Sequence, residues 1–163
     1  MLTPVVNDSE IQTIFRLAEK IWPEHFTPLV GEKQALYMLK HMQSVEIIKR
    51  QVEEKKVHYF LIAPYLDSIG YIALVARAHS LFLSNFFIGW HYRSKGYGTS
   101  VLQEAEMIAR GIHKTRITLR VNRANEEAIK FFHREGFKSV GSNSKKIGDG
   151  FSLDDILMAK VLK

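Results

Sequence analysis

Apolar residues recur at helical spacing through the first third of the chain, and in short alternating or continuous runs through the middle. Ile11, Ile14, Phe15, Leu17, Ala18 and Ile21 make one apolar face. This predicts a helix opening at Asp8 or Ser9, with Gln12 placed to complete a capping box with Ser9. Pro23 is expected to end that helix. A short strand, Thr3–Val6, precedes it. A second helix is predicted from Gly31 or Glu32, with Leu36, Leu39 and Met42 on one side, and a third over Val45–Glu54 with Ser44 as its cap.

The period then changes. Val57–Ala63, Ile69–Ala76 and Leu81–Ile88 are short runs rich in aromatic and β-branched residues, the first two separated by a turn over Pro64–Asp67. Three antiparallel strands are the economical reading. From Gly96 the helical period returns, with Val101, Leu102, Ala105, Ile108 and Ala109 as its buried face. A strand over Arg116–Val121 and a helix from about Asn125 to Arg134 follow, with Gly136 as the helix stop. Phe137–Val140 and Phe151–Val161 read as two last strands joined by a Gly- and Ser-rich loop. A strand–helix–strand crossover after a meander predicts an α/β fold: a mixed sheet of about seven strands with helices on both faces. With 163 residues, no repeat and no linker, residues 1–163 are expected to form a single domain.

Composition narrows the chemistry. There is no cysteine, which excludes disulfides, thiolate metal sites and a cysteine nucleophile, and no metal site is expected. Lys and Arg outnumber Asp and Glu by 23 to 17, a formal charge of +6 that favours an anionic partner. A phosphate-bearing small molecule, a nucleic acid and a membrane surface all satisfy that charge. Met1–Val6 lacks the pattern of a secretory signal, and the longest apolar stretch, Leu81–Trp90, is too short to span a bilayer. A cytoplasmic location without membrane association is therefore expected.

The segment Phe86-Phe87-Ile88-Gly89-Trp90-His91-Tyr92-Arg93-Ser94-Lys95-Gly96-Tyr97-Gly98-Thr99 runs from a strand, through a loop with two glycines, directly into a helix. Helix starts carry unpaired N–H groups and a partial positive charge. Glycines let a ligand approach the backbone closely, and Arg93 and Lys95 add two cations. Together these predict a site for a di-anion such as pyrophosphate. The P-loop string is absent, and the dinucleotide fingerprint fails because Val101 stands where its third glycine belongs.

Arg93-Ser94-Lys95-Gly96-Tyr97-Gly98 instead resembles the Arg-x-x-Gly-x-Gly loop of the GCN5-related N-acetyltransferases. Leu119 to Phe137 resembles that family's following strand and helix, with Asn125, Ala128 and the terminal Gly136-Phe137 in register. The element order is also similar over nearly the whole chain. The resemblance implies an acyl-coenzyme A N-acyltransferase fold, acetyl-coenzyme A as donor, and strands Leu81–Ile88 and Arg116–Val121 splaying to admit it. It further implies that Phe86, Phe87 and Ile88 offer backbone groups to the pantetheine arm, with an amide of Phe87 or Ile88 as oxyanion donor. By the same resemblance Arg93, Ser94, Lys95, Gly96, Tyr97, Gly98 and Thr99 would hold the pyrophosphate, and Asn125 the pantetheine amide.

The sequence departs from the family pattern at two positions. Phe132 stands where many members have a tyrosine beside the coenzyme sulfur, and Arg120 where some carry a glutamate base. Glu24, His25, Glu32, Asp154 and Asp155 remain as candidate proton acceptors, Glu24 foremost; each also suits a solvated surface. Trp22, Glu24 and Phe26, with Tyr37, are expected near the acceptor, since aromatic faces and a carboxylate suit a cationic amine. Trp22 and Phe26 equally suit core packing. The expected function is direct acetyl transfer to a primary amine of a small cationic acceptor, polyamine or amino-acid-like, without a covalent enzyme intermediate. The competing readings are a non-catalytic acyl-coenzyme A-binding module, favoured by Phe132 and Arg120, and a protein N-terminal or lysine acetyltransferase. The basic residues are scattered and no nucleic-acid motif occurs, so no nucleic-acid partner is expected. The protein is expected to be a monomer or homodimer.

Overall fold

The architecture follows from one meander and one crossover. A computed structural model describes residues 1–163. Its elements in order are β1 (Leu2–Pro4), α1 (Asp8–Val30), α2 (Glu32–Met42), α3 (Val45–Glu53), β2 (His58–Ile62), β3 (Gly70–Ala76), β4 (Ser80–Ile88), a 3₁₀ turn (Trp90–Tyr92), α4 (Tyr97–Gly111), β5 (Arg116–Asn122), α5 (Glu126–Arg134), β6 (Lys138–Gly148) and β7 (Phe151–Val161). The seven strands form one sheet in the order β1-β2-β3-β4-β5-β7-β6. Only β4 and β5 are parallel, because α4 carries the chain back across the sheet between them. On one face α4 and α5 pack over Ile72, Leu81, Leu83, Ile117, Leu119 and Met158. On the other, α1, α2 and α3 cover Tyr59, Leu61, Tyr71 and Ala73.

Four details differ from the pattern-based expectation, each for a physical reason. The cap of α1 is Asn7: its side chain accepts from the Glu10 N–H at 2.9 Å, and the Glu10 carboxylate accepts from the Asn7 N–H at 3.1 Å. Ser9 lies already inside the helix, so it cannot cap it. Pro23 does not end α1, which continues through Pro23 and Pro28 to Val30. A proline inside a helix costs about 3 kcal/mol, and here it is offset by burial of the adjoining Ile21 and Trp22. The Trp22 indole N–H also donates to the Tyr71 hydroxyl at 2.8 Å, which ties this turn to β3.

Helix α2 buries Gln34, Ala35 and Met38 rather than Leu36 and Met42, which are exposed, while Leu39 is half-buried. The phase differs because Gln34 carries a connection: its side-chain amide donates to the Ser152 carbonyl of β7 at 2.6 Å. Finally, the Gly- and Ser-rich stretch after Val140 is not a loop but most of β6, and only Asp149 and Gly150 turn the hairpin. As the outer strand of the sheet, β6 is largely exposed, so no apolar alternation marks it.

Candidate active site

Strands β4 and β5 pair only over Ser80–Leu83 and Arg116–Leu119, then part. The divergence coincides with a bulge: Leu83 pairs with Leu74 and Asn85 with Ala73, leaving Ser84 as an extra residue. The bulge also exchanges the strand's faces. Leu81 and Leu83 pack toward α4, and beyond Ser84 it is Phe86 that meets Phe131 and Phe132 of α5. Phe87 turns to the opposite side, against Trp22, His25, Phe26 and Tyr71. Between the parted strands lies a cleft of about 760 Å³.

Backbone direction along β4 decides which amides face this cleft. The Gly89 N–H donates to the Ile69 carbonyl at 2.8 Å, so Gly89 bonds toward β3, and by strand alternation so does Phe87. Phe86 and Ile88 direct their N–H and C=O groups the other way, into the cleft. The Ile88 carbonyl accepts the Arg93 Nε–H at 2.9 Å across that edge. The expectation that Phe87 shares the oxyanion position is therefore corrected: its amide is engaged with β3, and Ile88 and Phe86 carry the free ones.

The loop after β4 closes the lower end of the cleft. Ser94 and Gly96 both have left-handed backbone, φ 60° and 89°, and Gly96 opens α4 without a side-chain cap. The first intrahelical bond runs from the Ser100 N–H to the Gly96 carbonyl, leaving the amides of Tyr97, Gly98 and Thr99 without helical partners. Arg93, Ser94, Gly96, Gly98 and Thr99 line the cleft, whereas Lys95 and Tyr97 stand beside it. The two glycines have different reasons. Gly96 supplies the left-handed turn with open space around it. A Cβ on Gly98 would lie 3.0 Å from Cζ of Phe131, so this glycine serves the packing of α4 on α5.

Asn125 lines the cleft while capping α5: its side-chain oxygen accepts the Ala128 N–H at 3.1 Å, leaving its amide hydrogens for a ligand. Phe132 also reaches the cleft wall, packed among Phe86, Phe131 and Phe137 with no proton donor of its own. On the other side of the sheet the cleft is walled by α1, with Trp22, Glu24, His25 and Phe26, and by β7, with Leu153 and Asp155. Trp22 is only 3% exposed and committed to Tyr71. It is a wall of the cleft rather than an open aromatic face. Tyr37 is not in the cleft at all: its hydroxyl donates to the Ile147 carbonyl at 2.8 Å and its ring packs on His41 and Phe151. Glu32 likewise lies outside it, and Asp154 is paired with Arg123 at 3.2 Å.

Three ionisable groups stand out in the cleft. Burial, reinforced by the Arg93 charge, pushes the His25 imidazole down to about 4, so it is neutral at physiological pH. Burial raises the Asp155 carboxyl above the usual range, Arg120 partly opposing this and Asp154 adding to it. Burial lowers the half-buried Arg93 guanidinium, while the carboxylates of Glu127 and Glu24 hold it up. Glu24 lines the same cleft as Arg93 and forms no ion pair with it. Sequence reasoning did not find the bulge at Ser84, although the shift of apolar residues from odd to even positions across it is a visible signal.

A model of the acetyltransferase (GNAT) family matches residues 12–137. The chain belongs to that family. Among curated proteins it is 23% identical over 133 residues to a spermidine N(1)-acetyltransferase of Thermoplasma acidophilum, covering 79% of this chain and 83% of that one. Its fold matches the PaiA N-acetyltransferase of the same organism in complex with coenzyme A, with a TM-score of 0.79, 21% identity and 99% of each chain covered. A GCN5-related N-acetyltransferase of Rhodopseudomonas palustris superposes with a TM-score of 0.80 at 15% identity, over 99% of this chain and 95% of the other. As a member of that family, the chain is assigned as an acetyl-coenzyme A-dependent N-acetyltransferase. No helix is long and apolar enough to cross a membrane. The residues present fit such a donor: free amides at the start of α4 suit a pyrophosphate, and the cleft edge of β4 offers unpaired peptide groups.

Proposed function

We propose that this GNAT enzyme acetylates the primary amine of a small soluble acceptor, of the polyamine or amino-acid kind, entering from the α1 and β7 side of the cleft. When bound, acetyl-coenzyme A supplies a thioester whose C–S bond breaks as the amine nitrogen bonds the acetyl carbon, the electron pair leaving on sulfur and the amine proton going to a base. Arg93 and the amides of Ser94 to Thr99 hold the pyrophosphate. Asn125 offers its side-chain N–H to the pantetheine, and the Ile88 amide faces the thioester oxygen. Asp155 holds the acceptor's amine and takes its proton, directly or through water. Glu24 also lines the cleft, but Asp155 is the carboxyl whose basicity burial raises.

The observation that carries this reading is Asp155. It is a carboxylate without an ion-pair partner, raised by burial, on the face of the cleft opposite the donor loop. A carboxyl raised in this way accepts a proton more readily than a solvated one. The spermidine acetyltransferase among the relatives supports a small amine rather than a protein acceptor. Phe132 leaves the departing thiolate without a side-chain acid. A thiol of pKa about 8.5 tolerates that, since its thiolate is a fair leaving group. The test is free-thiol release from acetyl-coenzyme A across small amines and peptides: release with small amines supports the reading, and release with peptides alone overturns it.

A further inference from the structure

Two guanidinium groups converge on one ring beside the acceptor half of the cleft. Arg77, just beyond β3, has its guanidinium carbon 3.9 Å from the centroid of Phe82, and that of Arg120 on β5 is 5.7 Å from the same centroid. Phe82 pairs with Thr118, and Asn122 with Asp155. Phe82, Thr118, Arg120 and Asp155 therefore share the sheet face on which the acceptor enters. Phe82, Arg120 and Asp155 all line the cleft. Neither the Arg77 nor the Arg120 side chain forms an ion pair or a hydrogen bond, and both guanidiniums lie over the one ring. Their charges oppose one another: after burial, Arg120 is the second cause lowering Arg77. The Thr118 hydroxyl, directly opposite Phe82, is buried with no hydrogen-bond partner. Two guanidiniums without ion-pair partners over one ring, beside a hydroxyl without a hydrogen-bond partner, are the counterpart of an anion.

Resting on the acetyl-transfer reading above, we propose that the acceptor is an amine that also carries an anionic group, a carboxylate or a phosphate. Arg120 and Arg77 bind that group over Phe82, and Asp155 faces the amine. A carboxylate on one side and two cations on the other sort a zwitterion into a single orientation, amine toward the donor and anion away from it. A polyamine offers the arginines only like charge. This chain then differs in acceptor from the relative named a spermidine acetyltransferase.

The test compares matched amines by thiol release: β-alanine against n-propylamine, O-phosphoethanolamine against ethanolamine, and spermidine. The expected result is a kcat/KM at least about tenfold higher for the anion-bearing member of one pair, the size of one charge-assisted contact. Whether the carboxylate or the phosphate pair shows it identifies the anion. R120E and R77E should each cut that preference about tenfold through KM rather than kcat, and R120K should restore part of it. Two variants at separate places, one in the β3–β4 turn and one on β5, guard against one of them failing to fold. Preference for spermidine in the wild type, or a preference unmoved by both charge reversals while turnover persists, overturns the acceptor class and leaves acetyl transfer standing. No thiol release with any amine overturns both.

Discussion

Arg93 ties the loop before α4 to the strand it follows: its Nε–H donates to the Ile88 carbonyl at 2.9 Å, across the edge where β4 loses its partner. The loop and the free strand edge are thereby held as one surface. Replacing Arg93 with alanine removes this charge-assisted bond and the cation beside the pyrophosphate position. We expect KM for acetyl-coenzyme A to rise about tenfold and stability to fall by about 1 kcal/mol. Steady-state kinetics and thermal melting check the two effects separately.

Gly98 and Phe131 make a second testable pair. A methyl group on Gly98 would meet the Phe131 ring at 3.0 Å, so Gly98→Ala should lower the melting temperature and weaken coenzyme binding through displacement of that ring. The double variant Gly98→Ala, Phe131→Leu should regain most of the melting temperature. Failure of the second substitution to rescue the first would mean that Gly98 acts on the ligand directly.

The neutral His25 gives the protein a predictable acid response. In the unfolded chain the imidazole takes its proton near pH 6.5, and in the folded protein only near 4, because burial and Arg93 oppose the charge. Between those values the unfolded state binds more protons, so stability falls as pH drops from 6.5 toward 4 and is fully present above 6.5. The shift corresponds to a loss of up to about 3 kcal/mol. His25→Gln should flatten this part of the stability curve in denaturant titrations against pH. An unchanged slope would show that His25 titrates normally.

Asp155 separates function from stability. Its charged form is disfavoured by burial and has no ion-pair partner, so Asp155→Asn should leave the melting temperature unchanged or higher at neutral pH. The same change should cut kcat/KM for the amine at least about tenfold, the scale of a lost proton acceptor. A variant that melts earlier and keeps full activity would make Asp155 a structural residue.

The fold was largely legible because most of its segments obey a single period. The strands β2 and β5 alternate, β3 and β4 are mostly apolar runs, α4 and α5 carry helical faces, and glycine or asparagine marks several of their ends. Legibility failed where tertiary contacts outweigh local pattern. Pro23 sits in a helix held by the buried Trp22–Tyr71 bond, Gln34 is buried to reach Ser152, and β6 is an exposed edge with no apolar face. The site divides in the same way. The loop proposed to hold the donor is contiguous in sequence, so its glycines and cations show in one stretch, although only Arg93, Ser94, Gly96, Gly98 and Thr99 of it line the cleft. The side proposed for the acceptor is assembled from α1, β4, β5 and β7, so the sequence put Glu24 foremost and left Asp155 among four others. Tyr37 was drawn in by its position near Trp22, yet its side chain belongs to the clasp with Ile147. The pairing of Arg77 with Arg120 over Phe82 spans three elements and left no local signature.

In the proposed reaction acetyl passes from coenzyme A to a small amine in the cleft between β4 and β5. Its most direct test is mass spectrometry of the acceptor after incubation with acetyl-coenzyme A, run alongside thiol release in wild type and Asp155→Asn. The account predicts one acetyl group on the amine nitrogen for each thiol released, with both falling together in the variant. Thiol release without an acetylated amine, or acetylation undiminished by Asp155→Asn, would contradict it.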